Sequence, residues 1–411
     1  MKTAAHLALL CSALLATAHA ATPHWVTSWA ASPLPPQVAV GPLAGTPSFN
    51  NQTLRQVLRL SAAGSQLRVK FSNEYGQAPL RIGAASVALV GPDGKLGKPV
   101  ALSFAGQPGT LVPAGAPMLS DPVPLPIGPR ERLSVSLYLP ESTGACTCHA
   151  VAQQEGFVSD AGNFTAAEFP SRHPLVMRAF LSGVEVDAPR GRTIVVLGDS
   201  ISDGVGSTPN TDHRWPDLLA ARLAARKDGS SWGISNQGIS GNRLLDAGAA
   251  ESALARFDRD VLGQAGATHV ILFLGVNDLG ISYGSVTEGP MAEYFKSLQP
   301  KEKASAKRII AGYQQIISRA HAHGLKIYGA TIAPYEGAGY WSAEGEAQRQ
   351  AINAFIRHSG AFDAVLDFDL VLRDPARPTF IRDAFQAGDH LHGSDAGYDV
   401  VANSIDLALF R

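Results

Sequence analysis

Ser200 sits where chemistry could happen. In TIVVLGDSISDGVGS (193–207) an apolar, mostly β-branched run, Ile194 to Leu197, leads into Gly198-Asp199-Ser200, and Gly204 follows. Glycines permit a sharp turn, and a helix starting there would aim its N-terminal amides at whatever reacts. A serine so placed is a candidate nucleophile, but a weak one until a base takes its proton. Three other stretches offer what it lacks. NQGISGN (236–242) is a glycine-rich loop whose backbone N–H groups, including that of Gly241, can face a ligand. GVNDLG (275–280) presents Asn277 with a side-chain amide to donate, and GDHLHGSDAGY (388–398) places Asp389 three residues before His392. Acyl transfer needs a nucleophile, a base, a group to orient the base, and donors for an oxyanion. All four are present.

Competing assignments are weaker. Gly280-Ile281-Ser282-Tyr283-Gly284 matches G-x-S-x-G, yet that motif needs its serine on the turn leaving a strand, and Ser282 lies past that turn. His390 adjoins Asp389 and points away from it, whereas His392 can turn back in a bend. His321 and His323 fall on different faces of an expected helix and read as solvated. Asp367 and Asp369 read as turn or capping residues, and no zinc, calcium or phosphate-loop pattern occurs. Trp215, Tyr335, Tyr340 and Trp341 read singly as core or rim packing, with stacking on a sugar or lining of an acyl groove as the alternative.

The elements that must position these residues change character along the chain. From about Trp25 to Val186 the pattern is all-β. LRVKFSN (67–73) and RLSVSLYLP (132–140) alternate with period two, which predicts one buried and one wet face. DAPRGR (187–192) reads as a linker. Beyond it TIVVLG (193–198), HVILFLG (269–275) and KIYGATI (326–332) read as strands buried on both faces. Helical patterns over 216–226, 252–266, 307–323, 344–358 and 395–410 separate or follow them. The expected fold class is α/β: a three-layer α/β/α parallel sheet over 193–411, preceded by an all-β sandwich-like domain over 21–187. In such sheets chemistry collects at the carboxyl ends of the strands. Residues 281–303 interrupt the rhythm, as a wall or lid over the site or as an ordinary surface insertion.

GDSISDG, ISG, GVND and DHLH, in that order, resemble the sequence blocks of the SGNH, or GDSL-type, ester hydrolases. The resemblance spans the second domain and implies a flavodoxin-like fold. It implies Ser200 as nucleophile, His392 as base and Asp389 as its orienter. The amides of Ser200 and Gly241 and the side chain of Asn277 would form the oxyanion hole. No metal or cofactor is implied. Members often carry proline after the base histidine; Gly393 stands there, which predicts looser positioning at most. The start WVTSWAASP (25–33) and TIAPYEGAGYWSAEGEAQRQAIN (331–353) resemble a secreted bacterial subgroup linked to polysaccharide breakdown. The implied substrate is a small-molecule or polysaccharide-linked ester, with short acyl chains expected. A lipase or lysophospholipase acting on longer chains is one alternative. A glycan-binding protein with a vestigial catalytic half is another, of a different class.

Lys2, the apolar run from Ala4 to Ala16, and Ala18-His19-Ala20 read as a secretory signal peptide over 1–20, cut after Ala20, placing the mature chain in the periplasm or medium. The run is too short to span a bilayer, and no integral membrane association is expected. With 34 Lys plus Arg against 35 Asp plus Glu and no basic stripe, no nucleic-acid partner is expected. After cleavage only Cys146 and Cys148 remain. A bridge between them closes a small ring, and two free loop thiols are the equal alternative.

Overall fold

The computed structural model of the chain describes residues 22–39, 45–286, 288–289 and 291–411. The expected signal peptide lies outside them. Ile194 to Leu197 have no exposed surface, as a strand covered on both faces requires. Their strand, Gly191–Gly198, is flanked in parallel by Ser231–Gly238 on one side and Ala267–Phe273 on the other. Lys326–Ala330 and Ala364–Leu366 extend the sheet beyond the latter. The chain therefore leaves the Gly191–Gly198 strand first to one side and later to the other. Ligands in doubly wound sheets bind at such a reversal. Register fixes the edge: Gly198 lies level with both Gly238 and Phe273, so the loops carrying Ser200, Gly241 and Asn277 leave the sheet side by side.

Helices form a layer on each face. Trp215–Ala224 packs with Asp395–Ser404, and Ala306–Ala322 packs with Ala343–His358. One apolar core joins them to the sheet through Leu219, Leu223, Ile309, Ile316, Ile352 and Val401. Two helices differ from expectation. The 252–266 helix is Ala253–Phe257 followed by a wider π-helical turn, Asp258–Leu262. The 395–410 helix stops at Ser404, because Ile405 is extended and Arg222 donates to the carbonyls of Ala402 and Ile405. Residues 281–303 hold the end of helix Val276–Tyr283 and a short helix, Ala292–Ser297.

The front residues form two larger antiparallel sheets around a second core, with two two-stranded ones beside them, Cys148–His149 with Arg178–Ala179 and Leu80–Ile82 with Thr110–Val112. One of the larger pair contains Trp25–Ala30, Leu67–Asn73, Ala116–Leu119 and Leu181–Asp187. The other contains Gln52–Arg59, Ala84–Val90, Val100–Ala101, Arg132–Leu139, Gly156–Ala161 and His173–Pro174. The buried face reads as expected, with Leu67, Val69, Phe71, Leu133, Val135 and Leu137 all inaccessible. The wet face does not: Ser134 and Ser136 are buried too. Arg55 donates to Ser136 and lies over the Phe169 ring, so the segment around 164–169 covers this side of the sheet. Asp187 ends one strand and Gly191 begins the next, which leaves only 188–190 between the two units. Cys146 and Cys148 are joined by a disulfide.

Candidate active site

Asp199 and Ser200 open a single helical turn, Ser200–Asp203. The Asp199 carboxylate accepts the Ile201 amide at 3.0 Å, and Gly204 ends the turn in the left-handed region. A side chain at Gly198 would strike Ser202, so glycine is required for the chain to turn this tightly. Burial pushes the Asp199 carboxyl up to about 7, against the opposing effects of the Ile201 amide and His392.

His392 comes from the loop before helix Asp395–Ser404. Its Nε2 lies 2.8 Å from Ser200 Oγ and its Nδ1 lies 2.5 Å from Asp389 Oδ2. The other Asp389 oxygen accepts the amides of Leu391 at 3.0 Å and His392 at 2.9 Å. This bend is what brings the imidazole back over a carboxylate three residues earlier. Burial alone would raise the Asp389 carboxyl. Hydrogen bonds and charge from His392 outweigh it and hold the group well below the usual carboxylate range. Because a carboxylate only accepts, Nδ1 donates to Asp389 and Nε2 is left to accept the serine proton.

The expected looseness at Gly393 is not found. The His392 carbonyl accepts the Ala387 amide at 2.9 Å. A Cβ at Gly393 would lie 2.9 Å from the Tyr398 ring, which packs against it. His390 adopts φ 57° and turns its ring edge-on to Phe380.

Gly241 has φ 76°, a left-handed turn with open space where a side chain would be. Asn277 Nδ2 donates to the Asn242 carbonyl at 3.1 Å, and its Oδ1 accepts from Tyr340 at 3.3 Å. One Nδ2 hydrogen stays uncommitted. Asp278 accepts the amides of Leu244 and Leu245 at 2.8 and 3.0 Å, tying the two loops together. Burial pushes its carboxyl up to about 6, against the pull of those two amides. The amides of Ser200 and Gly241 find no acceptor among the described residues.

The competitors have structural duties. Ser282 lies within helix Val276–Tyr283, where its Oγ accepts the Ala304 amide. Asp367 caps the helix Phe368–Leu372, and Asp369 is buried among Arg349, Arg357 and Arg373. His321 is partly exposed beside Asp363. Trp215 and Tyr335 are fully buried and Tyr340 nearly so, so none offers an open face for a sugar. Among the described residues no cluster of His, Cys, Asp and Glu is placed to hold a metal, and no helix is long and apolar enough to cross a membrane. Sequence reading missed Asp203, His149 and Arg256, which lie behind the loop that carries Gly241, and Ser240 within that loop. Only Asp203 gave a signal, as a second acid within GDSISDG.

A serine, an imidazole and a carboxylate linked in that order beside unoccupied donors define a serine hydrolase site. Residues 196–400 match the family model of the GDSL-like lipase/acylhydrolase family, and through them the chain belongs to that family, as a carboxylic ester hydrolase. Solved structures similar to it include a GDSL-like lipase from Bacteroides thetaiotaomicron, at 17% identity over 53% of this chain and 87% of that one, with a TM-score of 0.36. A lipase/acylhydrolase from Enterococcus faecalis is 18% identical over 52% and 92%, with a TM-score of 0.36. An acetyl xylan esterase from Geobacillus stearothermophilus is 19% identical over 52% and 92%, with a TM-score of 0.39. Among curated proteins none matches.

Proposed function

We propose that this hydrolase cleaves short-chain, acetyl-type esters borne on carbohydrate, after export from the cytoplasm, with Ser200 as nucleophile. Ser200 Oγ attacks the ester carbonyl carbon while His392 Nε2 takes the hydroxyl proton. The oxyanion accepts from the amides of Ser200 and Gly241 and from the uncommitted Nδ2 hydrogen of Asn277. Asp389 holds the imidazole in the needed tautomer and stabilises its charged form. The tetrahedral species collapses by breaking the bond to the alkoxy oxygen, which leaves with the proton from His392. Water then attacks the acyl carbon and gives a proton to His392. The carboxylic acid departs as that proton returns to Ser200.

The observation that carries this reading is the unbroken hydrogen-bonded chain from Ser200 Oγ through His392 to Asp389. Ser200→Ala is expected to abolish turnover of p-nitrophenyl acetate while the protein stays folded by circular dichroism. Retained turnover, or its loss on Ser282→Ala instead, would reject the assignment.

The short acyl chain is supported by crowding beside Asn277, where Tyr340 packs against Tyr335 and Phe295. A longer chain has one feature in its favour, a cleft of about 430 Å³ beyond Tyr340 lined by Ile281, Val286 and Phe295. Rates over acyl lengths from acetyl to palmitoyl, with acetate release from acetylated xylan, separate the two. Acetyl is expected to be fastest, and a maximum at long chains overturns the carbohydrate preference. Export rests on the Lys2, apolar-run and Ala18-His19-Ala20 pattern. N-terminal sequencing of protein recovered outside the cytoplasm is expected to begin at Ala21.

A further inference from the structure

The loop that carries Gly241 is held in place from the front unit. Asp203 closes the helical turn begun by Ser200, and its Oδ2 accepts both the amide of Ser240 at 3.1 Å and its hydroxyl at 2.9 Å. Ser240 immediately precedes Gly241. The other oxygen, Oδ1, faces His149 Nε2 at 2.8 Å. His149 lies in the two-residue strand Cys148–His149 of the front unit, and the side chains of both partners are about 95% buried, at 5% and 3% exposure. Its Nδ1 lies 3.0 Å from the Ser32 carbonyl. Because a carboxylate only accepts, Nε2 is the nitrogen that donates to Asp203.

The strand that carries the ring is tied to its neighbours on both sides. Cys148 is bonded to Cys146, its carbonyl accepts the Leu34 amide at 2.8 Å, and His149 pairs with Arg178 in the sheet. The loop closes on itself through the Asn242 amide, which donates to the Ile239 carbonyl at 3.0 Å, and Asn277 holds the Asn242 carbonyl at 3.1 Å. Arg256 grips its flanks, donating to the carbonyls of Gly198 at 3.1 Å and Gln237 at 2.8 Å and to the Asn242 side chain at 3.1 Å. It does not touch Ser240 or Gly241. On the side where a Cβ would stand, nothing packs against Gly241. Within that turn, Asp203 is the side chain that holds Ser240, and its other carboxylate oxygen is held by His149.

We propose that His149 is a positioning residue for ester hydrolysis, supplied by the front unit, which fixes Asp203 so that the Ser240–Gly241 loop presents its amide to the oxyanion. This rests on Ser200 and Gly241 acting as described above. With the Nε2 donor gone, the buried carboxylate turns towards whatever donors or water it can reach, and the Ser240 amide follows it. A displacement of about 1 Å near a reacting centre is worth about a hundredfold in rate.

Two replacements in the full chain separate the ring nitrogens. In His149→Gln the amide nitrogen reaches the Nε2 position and keeps the donor to Asp203. In His149→Asn the shorter amide keeps the Ser32 contact and loses Asp203. With p-nitrophenyl acetate, the Asn variant is expected to lose about tenfold to a hundredfold in kcat with KM within about threefold. The Gln variant is expected to stay within about threefold of the parent in both. Melting temperatures should fall alike in the two. Equal kcat in the folded Asn and Gln variants, or a loss confined to KM, overturns the role of His149. Ser200→Ala, measured alongside, reports on the underlying reading: if it turns over ester at the parent rate, the serine assignment itself fails, whatever the His149 variants do.

Discussion

Asn277 is held at both ends of its amide, by the Asn242 carbonyl and the Tyr340 hydroxyl, which leaves one hydrogen aimed by its neighbours rather than by substrate. A donor already oriented acts on the transition state without reorganising. Asn277→Ala is therefore expected to lower kcat by about a hundredfold to a thousandfold, near 3 kcal/mol, with little change in KM. Steady-state kinetics on p-nitrophenyl acetate check it, and a loss confined to KM would contradict it. Asp389→Asn tests a different property. An amide nitrogen facing Nδ1 favours the wrong tautomer of His392, and kcat is expected to fall by about a thousandfold to ten-thousandfold in a folded protein. At this scale much of the site was legible, because its members sit in four short stretches whose residue types are unusual together. Asp203 and His149 were not. They are 54 positions apart, and neither spacing nor composition marks them as neighbours.

The three loops at the sheet edge are set by strands that end level with one another and by glycines that let the backbone leave abruptly. At Gly241 the reason for glycine is conformational alone, since a methyl group would meet nothing. Gly241→Ala is expected to destabilise the fold by about 1–2 kcal/mol, the strain of a left-handed residue with a side chain. It should also lower kcat by relaxing the loop out of that turn. Urea unfolding and kinetics on the same sample check both, and an unchanged midpoint would show that alanine is accepted there. Three of the five parallel strands were readable because burial on both faces favours unbroken apolar runs, whereas Ser231–Gly238, which carries Ser235, Asn236 and Gln237, and the three-residue Ala364–Leu366 were not. Helix ends were less readable. Residues 395–410 keep a helical pattern throughout, and the helix stops at Ser404 because arginine Arg222, on another helix, takes up its final carbonyls.

Across the molecule, two buried acids near the sheet edge, Asp199 and Asp278, have carboxyls pushed up by desolvation to about 7 and about 6. Between the ordinary carboxylate value and these raised ones the native state binds more protons than the unfolded chain. Their contribution to stability is thus complete at acid pH and declines as pH rises from about 4 to about 7. Asp389 has the opposite sign: held below its ordinary value, it contributes above about pH 4 and loses that contribution as pH falls further. Asp199→Asn keeps an acceptor for the Ile201 amide and removes the ionisation. Urea midpoints at about pH 5 and about pH 8 are expected to differ less in the variant than in the parent, and an equally steep decline would exclude Asp199 as a source. The two-part architecture was visible as a change of pattern near residue 190, whereas the polar seam between the parts was not, since it is assembled from isolated serines, a histidine and an arginine.

Gly233 lies so close to the Thr27 carbonyl that any larger residue would push the halves apart, and Ser61 and Thr193 exchange hydrogen bonds with backbone across the same boundary. Swapping the leading half for a foreign module, a common route to new enzymes, should therefore yield inclusion bodies rather than chimaeras. A replacement front half would have to reproduce the bare approach at Gly233 and both of these hydrogen bonds.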